Sequence, residues 1–167
     1  MSKLIHNNLS HKVLGVAFKV HNSIGCGLHE SAYEEAFCIE LASAGVRYSR
    51  QHVFPIYYSG QYISSYIADV VVDNAIIVEL KSVRELNPVM FAKIINYLKL
   101  SKLQVGLFIN FHSTRVEWRR FVISRGGERP FIRMDCFYLG NPFLKLRASR
   151  LGCTLGFTAH ECIISPQ

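Results

Sequence analysis

No run of apolar residues in this chain of 167 approaches the roughly 20 needed to cross a bilayer. The opening residues, Met1-Ser-Lys-Leu-Ile-His-Asn-Asn, lack the apolar centre of a secretory signal, so a cytoplasmic location without a membrane partner is expected. Cysteine is sparse and badly spaced for pairing. The five residues (Cys26, Cys38, Cys136, Cys153 and Cys162) are odd in number and form no C-x-x-C pair, which argues against a disulfide framework or a zinc knuckle and for buried free thiols. No Walker pattern follows Gly25 and Gly27, so a loop that cradles nucleotide phosphates is not expected there. No internal repeat, low-complexity segment or Ser-His-Asp order is recognisable.

Charge is scarce as well, at 19% of residues against 50% hydrophobic, which marks a globular chain with enough apolar material for a real core. Acidic residues are the scarcer sign: 12 against 19 Lys and Arg, a net charge of +7. Such a balance suits a polyanionic partner, because basic groups that neutralise phosphates release counterions. The signal is dispersed, and its densest group is only Arg115, Arg119 and Arg120.

Against that background, three charged residues stand inside the most hydrophobic stretch: Asp69, then nine residues, then Glu79-Leu80-Lys81. Charged side chains are seldom buried unless they are paired or bind a metal. A divalent cation held by the two carboxylates, with Lys81 beside it facing the anion it binds, offsets that cost best.

The remaining pattern supplies a frame for this group. Residues 9–24 carry Leu9, Val13, Val16, Ala17, Val20 and Ile24 at helical spacing, and Gly25 and Gly27 end the run. A second helix is predicted from Glu30 to Ala44, stopped by Gly45, with Tyr33, Phe37 and Leu41 on one face. Three strand-like runs follow, 48–58, 62–72 and 76–81, separated by the turn residues Ser59-Gly60 and Asp73-Asn74. A helix over 88–101 with proline at its start and two strands, 104–110 and 116–123, complete an ααβββαββ order. The expected fold class is mixed α/β: one domain over 1–123, built around a central mixed sheet flanked by helices, and a C-terminal extension, 124–167. The extension has no clear period; a further hairpin, an oligomer contact or an unordered tail are its open readings.

Geometry sets a condition on the site. Glu79 and Lys81 share a face of their strand, since side chains alternate. Asp69 meets Glu79 only if Val72 faces Ile76, leaving Asp73-Asn74-Ala75 as a three-residue loop; a two-residue turn would put the carboxylates on opposite sides. With the longer loop, Asp69, Glu79 and the main-chain carbonyl of Leu80 form an oxygen-rich pocket suited to Mg²⁺ or Mn²⁺ rather than zinc. Glu30 or Glu34 could add a carboxylate through water. The same residues taken alone also describe solvated strand-edge groups, because the D-x(9)-E-x-K pattern is short.

More of the chain bears on that choice. Gly27-Leu-His-Glu30-Ser-Ala-Tyr33 resembles the signature of the GxxExxY protein family, and so do Val20-His21, Gly25-x-Gly27-Leu28, Tyr33-Glu34-Glu35, Gln51, Val78-Glu-Leu-Lys81, Asn96-Tyr-Leu-Lys99 and Val105-Gly-Leu-Phe-Ile-Asn110-Phe. The resemblance covers residues 9–123. That family is similar to compact members of the PD-(D/E)XK restriction-endonuclease-like superfamily. The resemblance implies an αβββαβ core, Asp69 and Glu79 as metal ligands, Lys81 as catalytic lysine and Glu30 as the acidic residue of the preceding helix. It also implies a glutamine on the helix after the third strand, where this chain has Lys93, preceded by Met90 and Phe91 in place of polar residues. A lysine there could contact phosphate while adding positive charge beside the metal.

The leading expectation is therefore a Mg²⁺- or Mn²⁺-dependent nuclease acting on phosphodiester bonds, DNA ahead of RNA, with Asp69, Glu79 and Leu80 toward the metal and Lys81, Glu30 and Lys93 toward the chemistry. The alternative is an inactive nuclease-like module that binds nucleic acid or protein. A homo-oligomer joined through the extension is a third reading, resting on apolar residues such as Phe137, Leu139 and Phe143. For His21, Tyr33 and Tyr97, core or capping roles outweigh substrate contact.

Overall fold

The computed structural model describes residues 5–124 and 131–135. Helix α1 (Asn7–Ile24) and helix α2 (Glu30–Ser43) precede strands β1 (Tyr48–Tyr58), β2 (Gln61–Val72) and β3 (Ile76–Lys81); helix α3 (Pro88–Ser101) leads to β4 (Val105–Asn110), β5 (Glu117–Ser124) and β6 (Phe131–Asp135). The predicted elements are all present, within a few residues at their ends. A sixth strand is added: residues 131–135 of the C-terminal extension pair antiparallel with β5, so the sheet continues past Ile123. The oligomer contact expected of the extension lies outside the described residues.

The sheet runs in chain order from β1 to β6. All neighbours are antiparallel except β3 and β4, which are parallel and joined through α3. Two chemically distinct turns set the registers. Tyr58 pairs with Gln61 across Ser59-Gly60, both at positive φ (49° and 79°), as a tight two-residue hairpin requires. Val72 pairs with Ile76, leaving Asp73-Asn74-Ala75 as the three-residue loop, with Asp73 and Asn74 left-handed at φ 51° and 50°. Short polar side chains tolerate that conformation best.

Two apolar layers enclose the sheet. On one face α1 and α2 cover Val70, Val72, Ile76, Val78, Leu80 and Leu107. On the other α3 covers Val71, Ile77, Phe108 and Phe121. This double cover explains why β3 and β4 read as continuous apolar runs rather than alternating ones. Asn87 caps α3 by accepting the Met90 N–H at 3.2 Å, and Pro88 opens the helix where its missing donor costs nothing. Of the cysteines within the described residues, Cys38 is buried as expected, whereas Cys26, in the turn after α1, is exposed. The model has no helix long and apolar enough to cross a membrane among the described residues.

Candidate metal and phosphate site

The site forms where β2 and β3 separate. Their backbone ladder runs Val72–Ile76, Val71–Ile77, Val70–Val78 and stops. One step further in that register stand Asp69 and Glu79. The Asp69 carboxylate takes over as acceptor for the strand, receiving the Leu80 N–H at 2.8 Å. Asp69 is 8% exposed and Glu79 fully buried. Apolar neighbours on β2 and β3 thus hold two carboxylates close in a low-dielectric hollow.

Three other groups converge on them. Lys81 places its ammonium 3.0 Å from Glu79 Oε1, 2.7 Å from Glu30 Oε1 and 2.9 Å from the Leu80 carbonyl. Glu30 comes from the first turn of α2, and Lys93 comes from the second turn of α3 to lie 2.7 Å from the same Glu79 oxygen. The structure brings Asp69, Glu79, Leu80, Lys81, Glu30 and Lys93 together around this hollow. What the sequence did not show is that the Lys93 ammonium reaches a carboxylate inside the protein, with the Tyr97 ring 5.5 Å away, rather than standing open to phosphate.

The electrostatics are lopsided. Burial, and then the charge of Glu79, push the Asp69 carboxyl up to about 6, against the lowering effects of the Leu80 N–H, Lys81 and Lys93. Burial pulls both lysines down, but the pairing with Glu30 and Glu79 outweighs it for Lys81, as the pairing with Glu79 does for Lys93, and both sit above the ordinary lysine value. Both ammonium groups are spent on one oxygen of Glu79. Its other oxygen, Oε2, is buried without a hydrogen-bond partner among the described residues. A buried, unpaired carboxylate oxygen is costly.

These features fit a divalent cation. Asp69, Glu79 and the Leu80 carbonyl offer hard oxygen donors of the kind Mg²⁺ and Mn²⁺ take, and the unpaired Oε2 is a donor in want of a positive partner. Among the described residues no three His, Cys, Asp or Glu side chains gather into a metal-binding group.

Around this centre the conspicuous glycine and tyrosine residues act as a brace. Gly25 and Gly27 adopt φ 72° and 96° in the turn between α1 and α2. The buried Tyr33 hydroxyl donates to the Gly25 carbonyl at 2.8 Å and accepts the Leu28 N–H at 3.3 Å, and Ser82 Oγ donates to the Leu28 carbonyl at 2.8 Å. The turn is thereby tied to the end of β3, which fixes the start of α2, and so Glu30, against Lys81. The spacing from Gly27 through Glu30 to Tyr33 is a positioning device. His21 has a structural place, with Nε2 2.8 Å from the Ser113 carbonyl.

Two arrangements escaped the sequence reading. Glu34 does not join the site: Arg50 donates to it at 2.6 Å and Gln51 to both its oxygens at 2.9 Å, while Arg50 also pairs with Glu35. Gln51 can turn that way because its φ is 49°, a left-handed residue within a strand that no glycine announces. The fully buried Asn110, paired with Lys81 in the β3–β4 register, clasps Val83 by accepting its N–H at 3.0 Å and donating to its carbonyl at 2.8 Å. Its sequence signals were its place as the last residue of a buried strand and its part in the family-like run from Val105, neither of which points to this clasp.

Comparison with known proteins accords with this geometry. Residues 7–121 match a family described as the PD-(D/E)XK nuclease superfamily, the stretch that carries both site helices and the strands between them. Among solved structures, one titled "Crystal structure of SSO0001" aligns at 12% identity with a TM-score of 0.40, covering 65% of this chain and 64% of that one, less than two thirds of its length. No curated protein matches the chain. With the family match covering more than half of its residues and a mixed sheet between helices of restriction-endonuclease-like form, the chain belongs to the PD-(D/E)XK nuclease superfamily.

Proposed function

We propose that the protein is a divalent-metal-dependent nuclease that hydrolyses phosphodiester bonds, with DNA as the leading substrate. The observation that carries the reading is the buried Asp69–Glu79 pair with an unpartnered Glu79 oxygen and Lys81 beside it. Asp69, Glu79 and the Leu80 carbonyl would hold Mg²⁺ or Mn²⁺. When bound, the cation supplies Lewis-acid charge at a phosphoryl oxygen and makes a nearby water a better nucleophile.

The chain's own residues do the rest. Lys81 carries a fixed positive charge at the rim of the hollow, where charge on the phosphoryl group grows in the transition state. Glu30, 42% exposed at its side chain against 16% for Lys81, holds that ammonium from the solvent side. Its carboxylate would also accept a proton from an entering water. Lys93 balances the charge of Glu79 when no cation is bound.

The test is incubation with plasmid, linear duplex and single-stranded oligonucleotides in Mg²⁺ or Mn²⁺, comparing the wild type with Asp69→Ala, Glu79→Ala and Lys81→Ala. Loss of about 100-fold or more in each variant is expected, the scale of removing a group that stabilises transition-state charge. Activity surviving all three substitutions would eliminate the assignment. One observation favours a second reading, an inactive nucleic-acid-binding module: Lys93 already gives the Glu79 carboxylate, at Oε1, the positive partner that a cation would otherwise supply. Oligonucleotide binding that is indifferent to metal, with no turnover, would select it.

A further inference from the structure

Helices leave the hairpin of β1 and β2 partly bare. Its base is anchored on α3, where Phe54 and Tyr66 pack around Tyr97 at 6.2 Å and 5.3 Å, and the Tyr97 hydroxyl donates to the Ile67 carbonyl. Beyond that anchor the arm projects large side chains into solvent. At its tip Tyr57, Tyr58 and Tyr62 are 62%, 73% and 61% exposed, and nearer the base the cross-strand pair Val53–Ile67 is 54% and 47% exposed. A register shift at Ile56–Tyr57 sits just before the tip, and such shifts add local twist. Tyr57 and Tyr62 meet edge to face at 6.1 Å, which leaves ring surface available for a further partner.

Charge selects among occupants. From Tyr48 to Ala68 the chain has no acidic residue, although Asp and Glu number 12 in the whole. The arm instead carries neutral hydroxyl and amide groups: Ser59, Gln61, Ser64 and Ser65. At its base the arm's one charged residue, Arg50, is held by Glu34 and Glu35; beyond it the exposed tyrosines stand among neutral donors, where nothing repels a polyanion that offers ring faces. The same β2 strand runs into the metal site: Tyr62 is seven residues before Asp69, about 23 Å away at 3.3 Å per residue. Bases inside a duplex keep their faces stacked on one another, whereas unpaired bases offer them, and aromatic side chains bind such bases with little regard to sequence.

We infer that the β1–β2 arm is a stacking platform for single-stranded nucleic acid, on which the cross-strand pair Tyr57 and Tyr62, on one face of the hairpin, holds unpaired bases flanking the phosphodiester at Asp69 and Glu79. This rests on the nuclease reading of that site and names its substrate class.

The experiment separates the two. Binding of a fluorescein-labelled single-stranded 20-mer DNA and of its duplex is measured by anisotropy in EDTA, which prevents turnover, with the full chain and with Tyr57→Ala, Tyr62→Ala and Tyr57→Phe. Tighter binding of the single strand is expected, with a loss of about fivefold or more for each alanine variant, retention in Tyr57→Phe and little change on the duplex. Equal affinity for both forms, single-strand binding indifferent to the alanine variants, or no binding at all would overturn the platform. So would a fall in molecular mass of the alanine variants by light scattering, which would make the arm a contact between copies. Metal-dependent cleavage with no effect of the tyrosines would sink the arm and leave the site standing. A tyrosine effect with no cleavage of any substrate would do the reverse.

Discussion

Replacing Asp69 with asparagine should make the metal-free protein more stable and abolish the proposed cleavage. Asp69 is buried beside Glu79, and its carboxyl is raised from 3.8 to about 6. A raised value for an acid means that the folded state favours the neutral form. Stability from this group is therefore full below pH 3.8 and is lost as the pH rises through about 6. A difference of about two pH units is worth about 3 kcal/mol, an order-of-magnitude figure for a carboxylate that is 8% exposed. Asparagine keeps an oxygen to accept the Leu80 N–H but never ionises. Urea denaturation in EDTA between pH 4 and 8 should show a decline in the wild type that exceeds that of Asp69→Asn by about this amount. Adding Mg²⁺ or Mn²⁺ at about tenfold over its dissociation constant should return about 1.4 kcal/mol to the wild type and far less to the variant. Parallel pH profiles for the two proteins, or equal stabilisation by metal, would refute the burial argument.

Two further substitutions probe the frame of the site. Lys93→Gln removes the ammonium that lies 2.7 Å from Glu79 Oε1, so the metal concentration giving half-maximal cleavage should fall several-fold; a rise would mean that Lys93 acts on the substrate instead. Gly106→Ala would place a Cβ 2.8 Å and 2.9 Å from two side-chain carbons of Ile94, forcing α3 off β4. A loss of about 1–3 kcal/mol in thermal or chemical denaturation is expected, and a neutral effect would contradict the close approach.

Much of this was readable from residue order because local chemistry and tertiary demand agree. The strands β1 to β3 carry apolar runs broken by good turn residues, and the burial of Asp69 required the three-residue loop that Val72–Ile76 pairing produces. The meeting of Glu30 and Lys81 was expected from resemblance, but its cause appears only in space, where the Tyr33 hydroxyl fixes the Gly25–Leu28 turn. Lys93 is the instructive case. Its position on α3 was identified, yet sequence says nothing about which way an ammonium on a flexible stem turns, and it turns to Glu79. Gln51's bond to Glu34 escaped because it joins a left-handed residue within a strand to a carboxylate from another element, and β6 because residues 124–130, rich in glycine and charge, left a further hairpin as only one of three readings of the extension.

The most direct measurement is a calorimetric titration of Mn²⁺ into the wild type and into Glu79→Gln, with circular dichroism to verify that both are folded. A saturable site in the wild type that is lost in the folded variant is the expected result. Equal Mn²⁺ uptake by the two, or none by the wild type even with a bound oligonucleotide, would contradict the claim that this carboxylate pair holds a catalytic cation.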